Sequence, residues 1–476
     1  MGLTREIGEF AAGLRFADVP EQAIAVVHTA FTDCIGVMLG GLNEPVSLIV
    51  RDEIASARNV DGTFLGVGAD APDLALLYGT AAHALDYDDV ALSGHPSAVL
   101  VAAILAEAHE QRADGEAMIA AYVAGYEAWG ELVRRDADQH HRKGWHPTAM
   151  FGAIAAAAAA ANMRGFDADT ATHAVGIAAS LAGGVVSNFG SMVKPFQVGR
   201  AAQAGLQAAR WAESGLTAGP EALEHDLGFL KAISPRGTVE TRAPADLGRA
   251  WRILDIGVNV KLYPVCYAAH RTLDAVIDLR RAHTFTAADV EQVTAEVSET
   301  QASLLRFHAP ATPTDCKFSL EFAVAAGVVA GRCGNAEMTD DFLQRTEVRD
   351  LFGKVRTLPN TTRDPDEPGL AAFDRVRITL KDGRELVSDP VQRPRGHFKR
   401  EPEPAALAAK FRDCAAAVLA PDATERLFAR LQDLRSVRSI EELMAAVKPA
   451  TARHSSDNFR CTPHSARTAS IASRTK

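Results

Sequence analysis

Paired cysteines are what this 476-residue chain most plainly lacks. Cys34, Cys266, Cys316, Cys333, Cys414 and Cys461 are scattered, and no two stand in a CxxC spacing. That argues against a disulfide framework, a cysteine zinc site and an iron–sulfur cluster, and it points to a reducing compartment, the cytoplasm. Basic runs are absent outside the last residues and the formal net charge is -10, so no nucleic-acid partner is expected. An anionic substrate would therefore need a local cationic pocket, because the overall field repels it. The first residues lack the basic start and apolar core of a signal peptide. The small-residue run at 149–161 is too short to cross a bilayer core of about 30 Å, so no membrane span is expected.

What is present is an ordinary globular balance, with 47% hydrophobic against 23% charged residues and enough length for two or three domains. Helical periodicity dominates up to about residue 250, with Asp70, Asp114 and Asp167 in helix-opening positions. The alanine run after Phe151 predicts a buried central helix whose neighbours approach closely. Beyond His270 the pattern changes: Val293, Ala295 and Val297 alternate with polar residues, as in a half-covered strand. Residues 376–387 predict two strands joined by Asp382-Gly383 in a type I' turn. Helical character returns near residue 405. The expected architecture is mainly α, with a helical domain at 1–264, a smaller α/β (α+β) unit at 265–395, a helical return at 396–449 and a disordered tail at 450–476.

One stretch carries most of the chemistry. His83, Asp86, Asp88, Asp89 and His95 crowd the junction between an apolar helix and a Gly-His-Pro-Ser turn that opens the next. Acids at a helix C-terminus sit on the wrong side of the macrodipole, so three of them there call for nearby cations. Such clusters of perturbed acids mark functional sites, although a solvated helix end would look similar. His146, in Gly-Trp-His-Pro-Thr, stands before the alanine-rich helix, where the dipole favours a neutral imidazole. Lys194 is placed just before a helix expected to start at Pro195, an arrangement that suits an anion between them. Lys261 interrupts an apolar run at the expected domain boundary and so needs a partner such as Asp86 or a bound carboxylate. A metal site on His83, Asp86, Asp88, Asp89 and His95 matches no specific ligand signature and ranks below an acid–base site.

These segments together resemble the MmgE/PrpD family, which includes 2-methylcitrate dehydratases, cis-aconitate decarboxylases and iminodisuccinate epimerase. The similar segments are His83-Ala-Leu-Asp-Tyr-Asp-Asp with Gly-His-Pro-Ser, Gly-Trp-His-Pro-Thr, Lys194-Pro-Phe-Gln-Val-Gly-Arg, Lys261-Leu-Tyr-Pro-Val-Cys and Lys317-Phe-Ser-Leu-Glu-Phe322. The resemblance implies a helical domain with an inserted α/β lid, a site where the two meet, chemistry without metal or other cofactor, and a homodimer. Position by position it makes Asp86, His95, His146, Lys194 and Lys261 catalytic. Ser93, Gln197, Tyr263, Cys266 and His270 are the expected substrate-binding residues. Val90, Gln197, Cys266 and Phe322 depart from the hydroxyl and imidazole groups of the decarboxylases, which places that activity last. The expected activity is a dehydratase-type lyase that removes a proton next to a carboxylate of a small di- or tricarboxylic acid such as 2-methylcitrate. The alternative is epimerisation of an iminodisuccinate-like dicarboxylate.

Overall fold

The computed structural model describes residues 2–57, 69–136, 138–366, 370–400, 403 and 405–447. The tail expected at 450–476 lies outside the described residues. The fold is mostly helical, with one small four-stranded mixed sheet. Among the described residues, ten α-helices run from residue 3 to residue 213: α1 (Leu3–Gly13), α2 (Glu21–Gly41), α3 (Pro45–Ala57), α4 (Ala71–Ala84), α5 (Pro96–Gln111), α6 (Gly115–Arg134), α7 (His140–Lys143), α8 (Pro147–Met163), α9 (Ala168–Leu181) and α10 (Val193–Glu213). Asp70, Asp114 and Asp167 cap α4, α6 and α9, each accepting from a backbone N–H three residues on. Helix α2 is long and apolar enough to cross a membrane by composition, but it is packed into the core of this molecule.

Small residues decide how these helices meet. Every residue of α8 from Pro147 to Ala161 is buried, as a central alanine helix requires. Helix α10 crosses α4 where Gly79 meets Gly199, and a Cβ added at Gly199 would stand 2.2 Å from the Leu76 carbonyl oxygen. On its other side α10 meets α8, where a Cβ at Gly205 would fall 2.4 Å from the Ala156 methyl. Three backbones thus touch with nothing larger than a methyl between them. The C-terminal end of α4 and the N-terminal end of α10 are thereby fixed beside each other.

The apolar interior falls into two large clusters and a small third one of Val37, Tyr87 and Cys414. Of the large ones, the first joins α1–α10 to Phe411, Leu427, Leu431 and Leu443 of the last helices, and the second lies within residues 263–386. In the second, β1 (Val290–Val297), β2 (Val355–Pro359), β3 (Arg375–Leu380) and β4 (Glu385–Val387) are ordered β2-β1-β3-β4. The β1–β2 pair is parallel and the others are antiparallel. Val293, Ala295 and Val297 are buried at the expected period of two. The hairpin exists, but its turn is not type I'. Gly383 N donates to Leu380 O at 2.9 Å and Gly383 takes φ 86°, whereas Asp382 is not among the positive-φ residues. The turn is therefore type I followed by a glycine bulge, which places Asp-Gly one position later than expected.

Candidate active site

The loop between α4 and α5 carries several candidate groups in an unusual backbone. Asp86, Leu92 and Ser93 have φ of 52°, 50° and 61°, a left-handed conformation that costs a non-glycine residue about 1–2 kcal/mol. The surroundings enforce it. Ala91 and Gly94 exchange hydrogen bonds at 3.0 and 2.8 Å, Val90 and Asn259 do the same at 3.0 Å, and Trp129 Nε1 donates to Leu92 O at 3.1 Å. With the chain turned this way, Asp86 projects into the molecule and is almost wholly buried.

Four lysines gather on this helix end. Lys194 Nζ donates to Asp86 Oδ1 at 2.5 Å, and Lys261 Nζ lies 3.2 Å from Oδ2 while also donating to the Asp86 carbonyl. Lys317 Nζ donates to Ala84 O at 2.8 Å, and Lys410 Nζ donates to Tyr87 O at 2.7 Å. Lys410 also pairs with buried Asp33 at 2.5 Å. Cations at a helix C-terminus satisfy both its carbonyls and its dipole. These are the cations that the three acids of the sequence called for. Burial alone would push the Asp86 carboxyl up, but the ammonium groups of Lys194 and Lys261 outweigh it and hold it well below the usual carboxylate range. Burial pushes the Lys261 ammonium down, with Asp86 opposing. Lys194 lies inside the first turn of α10, which begins at Val193 and not at the expected Pro195. The anion that compensates for a cation there is Asp86 itself.

The imidazoles are held by other acceptors. Buried Asp88 faces two of them, His83 Nδ1 at 2.9 Å and His95 Nδ1 at 3.0 Å, and the two rings lie 4.4 Å apart. Each Nδ1 thus lies near the same carboxylate, which leaves each Nε2 turned away from it. Burial lowers His83 to about 4, with Asp88 opposing. His146 Nδ1 is 2.7 Å from Gln197 Oε1, while Gln197 Nε2 donates to Val185 O at 3.1 Å. A carbonyl only accepts, so the Gln197 amide nitrogen must face Val185, and its oxygen takes the proton of His146 Nδ1. Nε2 of His146 is therefore a lone pair. Burial, with Lys194 adding to it, pushes His146 well below its ordinary value. Asp89 stands apart: it accepts from Ser97 Oγ, and burial raises its carboxyl well above the usual range, which suits a neutral structural acid. His83, Asp88 and His95 also have the composition of a metal site, with ligand atoms within 4.8 Å of one another. Nearby Lys194 disfavours positive charge on His83, and it would act against a metal ion in the same way.

These groups border a cavity of about 270 Å³ between the two large apolar clusters. Asp86, Ser93, His95, His146, Lys194, Lys261 and Cys266 all line it, together with Val90, His141, Phe189, Tyr267, Gln301, Phe318 and Leu370. Three sequence-based expectations fall outside the wall. Gln197 stands behind His146, the Tyr263 hydroxyl donates to Asp274 Oδ1 at 2.5 Å, and His270 is packed between the Tyr263 and Tyr267 rings at 5.0 Å each. Phe322 is likewise remote, packed edge-on to Phe342 at 6.1 Å. The aromatic wall went unread: Phe189 and Phe318 hold Lys194 Nζ at 5.3 and 5.2 Å from their centroids. Lys317 carries no signal beyond its place in the resembling segment, and the sequence does not separate His83 from its neighbours in the helix-end cluster. For Lys410, in an amphipathic helix, the local sequence holds no signal.

Comparison with known proteins identifies the family. Residues 5–242 match the MmgE/PrpD N-terminal domain and residues 263–435 the MmgE/PrpD C-terminal domain. Among curated relatives, the cis-aconitate decarboxylase of Mus musculus is 26% identical over 94% of this chain and 93% of its own. The cis-aconitate decarboxylase of Homo sapiens is 24% identical over 94% of each, and that of Aspergillus terreus 26% identical over 85% and 87%. With both domain models matched in order, the chain belongs to the MmgE/PrpD family of enzymes.

Proposed function

We propose that this enzyme is a lyase that removes a proton from the carbon next to a carboxylate of a small di- or tricarboxylic acid. The observation that carries the reading is the pair Lys194 and Lys261, bracketing Asp86 in a cavity that also presents His95 and the lone pair of His146. A substrate carboxylate accepts from the two ammonium groups. As the neighbouring C–H bond breaks, its electron pair moves toward that carboxylate, and the ammonium groups stabilise the enolate-like charge more strongly than the ground state. Nε2 of His146 takes the proton, and His95, whose Nδ1 faces Asp88, gives one to a leaving hydroxyl. Charge and protons are handled by side chains throughout, so the reading requires no cofactor. The sheet-bearing unit, which supplies Phe318 and Tyr267, acts as a lid that excludes water.

Decarboxylation is the second reading, favoured by the names of the curated relatives. Loss of carbon dioxide leaves the same electron pair beside a carboxylate, and an imidazolium protonates it. Epimerisation would return the proton to the opposite face. Incubation with 2-methylcitrate, cis-aconitate and iminodisuccinate in deuterated water separates the three. Dehydration gives an alkene absorbing in the ultraviolet, decarboxylation releases carbon dioxide with one solvent deuterium fixed on carbon, and epimerisation gives labelled, inverted material of unchanged mass apart from the label. Absence of all three outcomes with a panel of polycarboxylates would sink the proposal.

A further inference from the structure

The catalytic cavity has a neighbour. A second cavity of about 360 Å³ shares Asp86, Lys194 and Phe318 with it and extends past them to His83, Lys317 and Glu44. Lys317 spends one N–H on Ala84 O and has two more to give. Burial pushes its ammonium below the ordinary value, with Glu44 and Asp86 opposing, so an arriving anion would be stabilising. The imidazole of His83 adds an acceptor. Its Nδ1 is turned to Asp88, while its Nε2 is buried, has no hydrogen-bond partner and lies 4.0 Å from Asp86 Oδ1, beyond hydrogen-bond reach. An unsatisfied buried nitrogen is costly, and a hydroxyl hydrogen brought by a ligand would satisfy it.

We propose that this second cavity is a substrate subsite in which Lys317 binds a further carboxylate and His83 Nε2 accepts a hydroxyl hydrogen. The inference rests on the function proposed above and sharpens it. In this reading a hydroxy-tricarboxylate reaches from Lys194, which borders both cavities, to Lys317, whereas a simple dicarboxylate occupies the first alone.

The test is calorimetric titration of the full-length protein with citrate and with succinate at fixed ionic strength. Losing a buried charge partner costs at least about tenfold in affinity, so Lys317→Met weakens citrate by about that factor or more and leaves succinate within about twofold. Lys317→Arg, which keeps the charge, restores most of the citrate affinity. Glu44→Gln, which removes the opposing carboxylate, tightens citrate alone. Equal weakening of both acids by Lys317→Met means that the lysine only holds the Ala84 carbonyl, and unchanged citrate binding means that the subsite does not exist; either result overturns the inference. Failure of the parent reading looks different: both acids then ignore Lys194→Met, and the two proposals fall together.

Discussion

Midway along α4 the protein has neither space nor charge, and at the C-terminal end of the same helix it has both. At Gly79 the backbone lies against Gly199 of α10 with no room for a side chain. Four residues past the last turn's Ala82, buried Asp86 meets two ammonium groups and borders two cavities. The contrast teaches a division of labour. Close apolar contact sets where the ends of α4 and α10 stand, and the polar groups hung on those ends set what happens there. Neither part does the other's work: a lysine placed 1 Å away would lose Asp86, and a perfect crossing without charges would bind nothing.

Perturbing each side in turn tests this division. The largest effect expected is on stability, from Lys410→Met. Removing one member of a buried ion pair costs about 3–5 kcal/mol, so chemical denaturation should show a loss of that order, and Asp33→Asn in the same chain should recover part of it. Next comes Lys194→Ala or Lys261→Ala, with turnover lower by about 100- to 1000-fold and an unchanged far-ultraviolet circular dichroism spectrum. Near-normal turnover in either would remove that lysine from the chemistry. Gly199→Ala strikes the opposite side of the comparison. Overpacking there should cost about 1–3 kcal/mol of stability and lower turnover as well, because the crossing that aims Lys194 is displaced. Intact turnover in a destabilised Gly199→Ala protein would show that the crossing and the site are independent.

The remaining effect is a dependence on pH. Unfolded His83 binds a proton below about 6.5, whereas in the folded protein it does so only at about 4. Between these values the unfolded chain holds more protons, so stability falls as pH is lowered from 6.5 to 4, by roughly 1.4 kcal/mol per unit for this group. Asp86, whose folded value is depressed, adds slope only toward the low end of that window, because its contribution is present above the unfolded carboxylate value and is lost progressively as pH falls toward the folded value. Denaturation midpoints measured across the window should show a shallower slope for His83→Gln.

Much of this was readable from local pattern. Capping aspartates, the alanine helix and the alternating strand depend on neighbours within a few residues, and each was found where expected. Asp86, His95, His146, Lys194 and Lys261 were legible because each sits at a helix end or breaks an apolar run. What failed to show was what depends on distance along the chain. The turn at Asp382 needed a register that only pairing with β3 defines. Tyr263 stands two residues after Lys261, yet its ring is claimed by Asp274 of the following helix. Phe189 and Phe318, 129 positions apart in the chain, become a cage for one ammonium only once both domains are in place. Lys410 looks like any solvent lysine until α2 supplies Asp33.

That last contact has a consequence for how the protein is made. The loop that bears Asp86 is synthesised more than 300 residues before the ammonium group of Lys410 that ties down Tyr87 O. Asp33 waits through the same interval without its counter-charge. A nascent chain halted before that point would lack both contacts, so biosynthesis itself withholds a finished centre until residue 410 has been made.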